Sequence, residues 1–226
     1  HVVARNQGFA SSFAAHLSQA LEDLDATLFA VRELQECGRQ MRAVYDALTI
    51  RMQFNHMVNQ LLLMDESGEI VASMFPVPNS AEAGITEQYR NHLLSRSSSP
   101  YIAPPIISAL SGKTSFFMSR RINKPDGSFG GVIAIALNPD HFRSVYEQAD
   151  LHLGTIITML GRDGIVRAHY GPGLPASGFY AANIELYRDM LASPQGTFHG
   201  PGLMNEPGRI GSFRALSNYS VIIAVS

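Results

Sequence analysis

An internal repeat of a β-rich unit constrains the fold of this chain more than any other feature. The segment 62–72 reads as strand, tight turn and strand, with Asp65-Glu66-Ser67-Gly68 at the turn, and a weaker copy follows at 158–166. Three further pairs of similar strings follow in the same order: 112–116 with 196–198, 127–129 with 211–213, and 132–136 with 221–225. Two tandem copies of one antiparallel β unit are therefore predicted.

A long amphipathic helix precedes the repeat. Apolar residues recur at helical spacing along one stripe: Phe9, Phe13, Leu17, Leu21, Leu24, Leu28, Val31 and Leu34. The pattern predicts a helix over 7–35, ended by Cys37-Gly38, and a second helix near 41–55. A typical helix has about 11–12 residues. This one is either a core helix lying across a sheet, or a signalling stalk and dimer helix, or both.

The remaining pattern completes an α+β fold class, in which a long N-terminal helix packs on two tandem antiparallel sheets. A second hairpin is predicted from 115–122 and 130–137, with a turn at 123–127, and a short helix over 86–95 lies in the preceding cap. A helix over 139–150 links the units, and the second unit adds a helix at 183–192 and three final strands. The predicted divisions are 1–39, 40–150 and 151–226.

Composition and motifs exclude several classes of function. The net charge of −2 over 226 residues argues against a nucleic-acid partner, which usually meets a strongly basic face. The single Cys37 excludes an intrachain disulfide, which suits the cytosol or the periplasm. No motif of a metalloprotease, a nucleotide-binding loop or a serine hydrolase is present, and no two histidines stand at i, i+4. We therefore expect no catalytic residue, no metal and no cofactor.

The ends of the sequence suggest a piece of a longer protein. The chain begins at His1 without a methionine and stops inside the apolar run 219–226. No apolar run reaches the roughly 18 residues that a membrane helix needs. We expect one membrane helix before residue 1 and another after residue 226 in the full-length protein.

The order of these segments resembles that of the double Cache sensor domains of bacteria. The string 119–133, Ser-Arg-Arg-Ile-Asn-Lys-Pro-Asp-Gly-Ser-Phe-Gly-Gly-Val-Ile, is similar to the core of Cache domains fused to diguanylate cyclases and histidine kinases, and 101–105 and 64–71 fit the same group. The resemblance implies two PAS-like modules on the periplasmic side of the inner membrane. The membrane-distal module (40–150) would bind a ligand. The smaller proximal module (151–226) has a short cap, and we expect little or no pocket there.

Two positions depart from the amino-acid-sensing members of that group. Thr86 stands where those relatives carry an arginine that clamps the ligand carboxylate, and Ala136 stands near the position of the acidic residue that binds the ligand amine. A free α-amino acid bound in that mode is therefore not expected.

Two adjacent arginines are the leading candidates for recognition. Alternation along a strand sends Arg120 and Arg121 to opposite faces. A half-buried arginine needs an anionic partner, and its planar fork suits a carboxylate in two-point contact. The partner is either a ligand or an internal one, such as an acidic side chain or a helix end. We expect a small, anionic ligand, such as a carboxylate.

Four further residues complete the predicted ligand site. Tyr89, His92 and Tyr101 lie in the segment that caps the first sheet, and each brings a polar tip on a flat apolar body. Ser119 shares its face of the strand with Arg121. Ordinary packing is the alternative role for each of the three ring residues.

The sequence supports three hypotheses of function. The first is an extracytoplasmic ligand-sensing domain of a membrane receptor, a homodimer through its long helix, which passes a helix displacement to a cytoplasmic output domain. The second is a ligand-free dimerisation or spacer module of the same receptor class. The third is an α+β hydrolase, which would need a clustered nucleophile and base that the sequence does not show. The fragment itself is not expected to be an enzyme, although the full-length protein could be a histidine kinase or a diguanylate cyclase.

Overall fold

The computed structural model describes residues 1–36, 41–77, 83–107, 114–148, 154–171 and 177–226. Its five helices in these ranges are α1 (Val2–Glu36), α2 (Met41–Met52), α3 (Ala83–Leu94), α4 (Pro139–Gln148) and α5 (Ile184–Ala192). The first six strands are β1 (Val58–Met64), β2 (Ile70–Ser73), β3 (Tyr101–Ile102), β4 (Ile106–Ile107), β5 (Thr114–Asn123) and β6 (Phe129–Leu137). The other five are β7 (Ile157–Gly161), β8 (Val166–Tyr170), β9 (Gln195–Gly200), β10 (Arg209–Ala215) and β11 (Val221–Val225).

The chain forms two compact units, which we describe separately. One unit contains residues 22–138, and the other contains residues 1–21 and 139–226. The division into 1–39, 40–150 and 151–226 stays a prediction. In the described ranges, no helix is both long enough and apolar enough to cross a membrane.

The predicted long helix is confirmed as α1, which begins at Val2, earlier than the expected residue 7. Its apolar stripe is buried, with Leu17, Leu21, Leu24, Leu28 and Val31 all at most 2% exposed. Burial of each such side chain contributes about 1.5–3 kcal/mol relative to exposure. Packing of the stripe therefore stabilises the helix beyond its own hydrogen bonds. The predicted stop at Cys37-Gly38 lies outside the described residues.

The unit 22–138 contains an antiparallel sheet in the order β2-β1-β6-β5-β3, with β4 also paired to β5. The turn between β1 and β2 forms as predicted, because Asp65 Oδ1 accepts hydrogen bonds from the backbone N–H groups of Ser67 and Glu69 at 2.8 and 3.0 Å. The central strand β6 is buried from Gly131 to Leu137. One face of the sheet packs on α3 through a core cluster of Leu62, Met64, Ile85, Ala103, Phe117, Val132, Ala134 and Ala136.

The second unit contains a five-stranded antiparallel sheet in the order β8-β7-β11-β10-β9. The five strands of the two sheet paths correspond in order, so that β7 matches β1 and β11 matches β6. The predicted α+β fold of two tandem sheets behind one long helix is thereby confirmed. Within this unit α1 contacts the sheet through Asn6, whose amide donates to the Ile210 carbonyl at 2.7 Å.

Two of the four repeated strings were aligned wrongly. Residues 196–198 lie in β9, whereas 114–116 begin β5, which occupies the sheet position of β10. Residues 211–213 lie inside β10, whereas 127–129 form a turn and the first residue of β6. Short strings of glycine and an aromatic residue suit both turns and strands, so they do not fix the register of a repeat.

Candidate ligand-binding site

Helix α3 covers the face of the first sheet on which the candidate residues lie. Ile85, Gln88 and His92 are buried at helical spacing on the side of α3 that meets the sheet. The side chains of β5 alternate between the two faces, and Ser119 and Arg121 are on the face turned towards α3. We call the contact between α3 and β5 the α3 seat, defined by Gln88, His92, Ser119 and Arg121.

A closed hydrogen-bonded group lies at the centre of the α3 seat. The Ser119 hydroxyl donates to Gln88 Oε1 at 2.8 Å, and its oxygen lies 2.9 Å from His92 Nε2. Since the hydroxyl proton goes to Gln88, Ser119 accepts from His92, which places the imidazole proton on Nε2. All three side chains are at most 2% exposed. Polar groups this deep must be satisfied, and in this seat they satisfy one another.

The imidazole of His92 is neutral at ordinary pH. Burial away from water lowers the pKa of His92 to about 4. The hydrogen bond with Ser119 acts in the opposite direction, and the positive charges of Arg121 and Arg120 lower the pKa further. The seat therefore presents one fixed cation, Arg121, beside three uncharged polar groups.

Arg121 is held by the C-terminal end of α3. Its Nη1 donates to the carbonyl of His92 at 2.6 Å and to that of Ser95 at 3.4 Å, and its Nε donates to Asn123 Oδ1 at 2.7 Å. The guanidinium also lies over the ring of Phe129, 4.8 Å from the centroid. Carbonyls at a helix end carry partial negative charge, so the helix-end partner weighed from the sequence is present. Burial lowers the pKa of Arg121, as does the charge of Arg96.

Arg120 points to the other face of the sheet, as the alternation predicts. Its Nε and Nη2 donate to the two carboxylate oxygens of Asp25 in α1, at 2.5 and 2.8 Å. Its Nη1 donates to the backbone carbonyl of Ser98. This is a two-point internal ion pair. The predicted ligand role of Arg120 stays a prediction, and its position is outside the α3 seat.

Of the two predicted tyrosines, Tyr89 lies within α3 and Tyr101 begins β3. The Tyr89 hydroxyl donates to the Glu66 carbonyl at 2.9 Å, which ties α3 to the β1–β2 turn. The Tyr101 hydroxyl donates to Glu87 Oε1 at 2.9 Å, and its ring meets that of His92 edge-on, with centroids 6.2 Å apart. Tyr101 also borders an open groove of about 600 Å³ on the outer side of α3, lined by Thr86, Glu87, Arg90, Asn91 and Leu94.

The structure thus brings Ser119, His92 and Arg121 together, with Tyr101 beside them. Gln88 belongs to the same group, and the sequence prediction missed it. A signal for it existed, because Gln88 stands at helical spacing between Ile85 and His92, on the same side of α3. Asp25, the partner of Arg120, carried no signal in the sequence.

The second unit contains a buried pair of polar side chains on β7 and β8. Thr158 Oγ1 lies 3.1 Å from His169 Nδ1, and both residues are buried. Burial lowers the pKa of His169, while the charge of Glu206 raises it. The expectation of little or no pocket in this unit stays a prediction. Among the described residues, no group of three or more potential metal ligands occurs in either unit.

Comparisons with known proteins rest on structure alone, since neither a family model nor a curated protein matches the chain. The extracellular domain of rpHK1S-Z16, named as a histidine kinase, is 22% identical and superposes with a TM-score of 0.85 over 98% of this chain and 92% of that one. The periplasmic sensory domain of the Campylobacter jejuni chemoreceptor Tlp1 is 13% identical, with a TM-score of 0.73 over 99% and 93%.

A third similar structure contains a ligand. The ligand-binding domain of the Pseudomonas fluorescens chemoreceptor CtaA, in complex with L-isoleucine, is 14% identical, with a TM-score of 0.68 over 98% of this chain and 90% of that one. At these identities the similarity establishes the fold. The chain shares the fold of these three domains over at least 98% of its length.

Proposed function

We propose that this chain is the periplasmic, ligand-sensing domain of a bacterial transmembrane receptor, of the double Cache type. The observation that carries the proposal is the duplicated sheet order behind one 35-residue helix. Three sensor domains of known structure share this architecture over at least 98% of the chain. The proposal includes a membrane helix on each side of the domain and a cytoplasmic output domain, either a histidine kinase or a diguanylate cyclase.

We place the ligand in the first module, against the α3 seat. Arg121 is a buried cation whose partners are neutral: carbonyls, an amide oxygen and an aromatic face. A small carboxylate would give this cation the anionic partner that it lacks among the groups it contacts. On binding, Ser119, His92 and Gln88 would exchange part of their mutual hydrogen bonding for hydrogen bonds to the rest of such a ligand. Tyr101, whose ring contacts His92, stands at the edge of the seat.

An α-amino acid fits this seat poorly, although CtaA was crystallised with one. Ala136 is buried in the core cluster that faces α3, and it brings no carboxylate for an ammonium group. Thr86 is exposed on the outer groove and offers no charge to a ligand carboxylate. The ligand class proposed is therefore a small carboxylate without an α-ammonium group.

Thermal shift of the isolated domain against small carboxylates, with L-isoleucine and L-alanine as comparators, tests this function. A ligand at 100 times its dissociation constant stabilises the domain by about 2.7 kcal/mol. Titration calorimetry of the Arg121→Gln variant should then show affinity lower by about 2–4 kcal/mol. Arg90→Gln is the matched control, because Arg90 lies in the outer groove.

The two variants distinguish the α3 seat from the outer groove as the place where the ligand binds. A loss of affinity in Arg90→Gln, with none in Arg121→Gln, would move the ligand to the outer groove. Binding of L-isoleucine in preference to every carboxylate without an ammonium group would overturn the proposed ligand class.

A second candidate function is a ligand-free spacer of the same receptor class. The closed hydrogen bonding among Gln88, His92 and Ser119 favours it, since these groups are already satisfied. In that case no compound of the library shifts the melting temperature. Ser119→Ala then lowers the stability of the domain without any effect on binding.

We also propose that the domain forms a homodimer through α1. The helix has 35 residues, and the side opposite its buried stripe is exposed, including Ala15, Gln19 and Ala26. Analytical ultracentrifugation of the domain over a range of concentrations measures the association. Replacement of Ala26 by glutamate should abolish it, and an unchanged monomer at all concentrations would refute the dimer.

A further inference from the structure

We propose that the ion pair between Arg120 and Asp25 transmits the position of the C-terminal end of α3 to α1. This inference rests on the proposed sensing function, because it assigns the step that follows binding at the α3 seat. It concerns only residues of the unit 22–138. Its basis is that two consecutive residues of one strand bind elements on opposite faces of the sheet.

The first contact joins Arg121 to the C-terminal end of α3. Arg121 donates to the carbonyls of His92 and Ser95, which are the last turn of α3 and the residue just after it. A ligand that binds the Arg121 guanidinium must compete with these carbonyls or displace them. Either event shifts Arg121 relative to the end of α3.

The second contact joins Arg120 to the long helix α1. The Arg120 guanidinium donates hydrogen bonds to both carboxylate oxygens of Asp25 and to the carbonyl of Ser98. Ser95 and Ser98 lie in the same connection between α3 and β3. The two arginines therefore hold one connection at two points, and only Arg120 also holds α1.

The strand that carries both arginines is rigid. β5 pairs with β6 along nearly its whole length, including Arg120 with Ile133 and Arg121 with Val132. Adjacent Cα atoms are fixed about 3.8 Å apart. Because the strand is fixed, a shift at the end of α3 reaches Arg120 through the connection whose Ser95 and Ser98 carbonyls the two arginines bind.

The ion pair responds sharply to such a displacement. The side chains of Arg120 and Asp25 are only 11% and 16% exposed. Two parallel bonds between planar groups demand both distance and orientation, so a small rotation breaks the pair. The Arg120 guanidinium also lies 5.7 Å from the ring centroid of Phe29, one turn further along α1. Loss of the pair loosens α1 around residues 22–31.

Amide hydrogen exchange of the isolated domain tests the coupling without a ligand. Arg121→Gln loosens the end of α3, and exchange is followed at residues 22–31 of α1 and at the core amides of β6. In the otherwise unchanged protein, we expect exchange at 22–31 to rise about tenfold, equivalent to about 1.4 kcal/mol. In an Asp25→Asn background, Arg121→Gln should add no further acceleration, because the route is already broken.

The matched control removes another carboxylate from α1. Glu33 pairs with Arg32 within the helix, at 3.3 Å, so Glu33→Gln should leave the tenfold effect of Arg121→Gln intact. If Arg121→Gln does not fold, Arg121→Lys replaces it, since lysine keeps the charge but cannot contact both carbonyls and Asn123 together.

Three results would overturn the inference. They are an equal effect of Arg121→Gln with and without Asp25→Asn, acceleration of α3 with none in 22–31, or equal acceleration of 22–31 and β6 in every background. Each leaves the sensing function standing, since that function is tested separately by ligand-dependent melting.

Discussion

The hydroxyl of Tyr89 donates a hydrogen bond to the backbone carbonyl of Glu66 at 2.9 Å, and this clamp is repeated in the second unit. There the Tyr187 hydroxyl donates to the carbonyl of Arg162 at 2.7 Å. In each unit the accepting carbonyl stands two residues before the glycine of the first hairpin turn, and the tyrosine comes from the helix that covers the sheet. The clamp ties α3 and α5 each to the first hairpin turn of its own sheet.

Removal of either clamp hydroxyl should destabilise the domain. Tyr89→Phe and Tyr187→Phe each lose one hydrogen bond, so the free energy of unfolding should fall by about 1 kcal/mol. Urea unfolding followed by circular dichroism measures the change. Tyr180→Phe is the control, because Tyr180 is 68% exposed. Equal midpoints for all three variants would show that the clamps contribute nothing.

The pH dependence of stability should depend on His92. Its pKa in the fold is about 4, below the usual value of about 6.5, so the unfolded chain binds a proton over this window and the folded chain does not. Stability is therefore greatest above pH 6.5 and falls by about 3 kcal/mol as the pH drops to 4. Urea midpoints across this range measure it. In His92→Gln this part of the decrease should vanish, while the decrease caused by His169, whose pKa is also lowered, remains.

The pair of Asp163 and Arg167 should be worth more than an exposed pair of equal spacing. Arg167 donates to both oxygens of Asp163, at 2.8 and 2.7 Å, and its side chain is 2% exposed. Asp163→Asn should lower the free energy of unfolding by about 2 kcal/mol at pH 7. The matched control is Glu147→Gln, which breaks the exposed pair with Arg143, and there we expect little change.

The Asp163 carboxylate should also make the stability of the domain fall as the pH drops into the acid range. Partial burial raises the pKa of Asp163, but the hydrogen bonds and charge of Arg167 outweigh it and hold the pKa below 3.8. The stabilisation is present above the unfolded value and is lost as the pH falls through the folded value. Between pH 5 and pH 2, wild-type stability should therefore converge on that of Asp163→Asn. A constant difference between the two over this range would contradict the assignment.

Two glycines with positive φ should respond very differently to alanine. Gly131 has φ +137°, and an added Cβ would collide with the backbone carbonyl of Met64 in β1. Gly127 has φ +81°, but nothing lies within 4 Å of its added Cβ. Gly127→Ala should cost about 1 kcal/mol, for the backbone conformation alone. Gly131→Ala should cost about 3 kcal/mol or more, because the two strands must separate. Chemical unfolding of both variants checks the difference.

Local signals in the sequence predicted the fold well. The turn at Asp65–Gly68 follows from residues that hydrogen-bond their own backbone, and the apolar stripe of α1 follows from helical spacing. Alternation also placed Arg120 and Arg121 on opposite faces. These features depend on neighbours within a few residues, which is the range over which sequence patterns carry structural information.

The partners of the candidate site residues were less predictable. Arg120 pairs with Asp25, which lies 95 positions away in the chain, and no sequence pattern near either residue predicts that pairing. The tyrosine clamps were hidden for another reason. Tyr89 and Tyr187 follow their turn glycines at different spacings, so a search for repeated strings misses them, although the two aligned hairpins share the clamped carbonyl.

The position of β11 sets the order in which the second sheet can assemble. β7 and β8 form a local hairpin, and so do β9 and β10, but the two hairpins meet only through β11, which pairs with β7 on one side and β10 on the other. The strand that joins them follows the other four in the chain, so it is made after them. Until it emerges from the ribosome, both hairpins have open edges, and its pairing with β7 closes a loop of about 60 residues. Folding of this unit must therefore be late and non-local, with its slow step at the central strand.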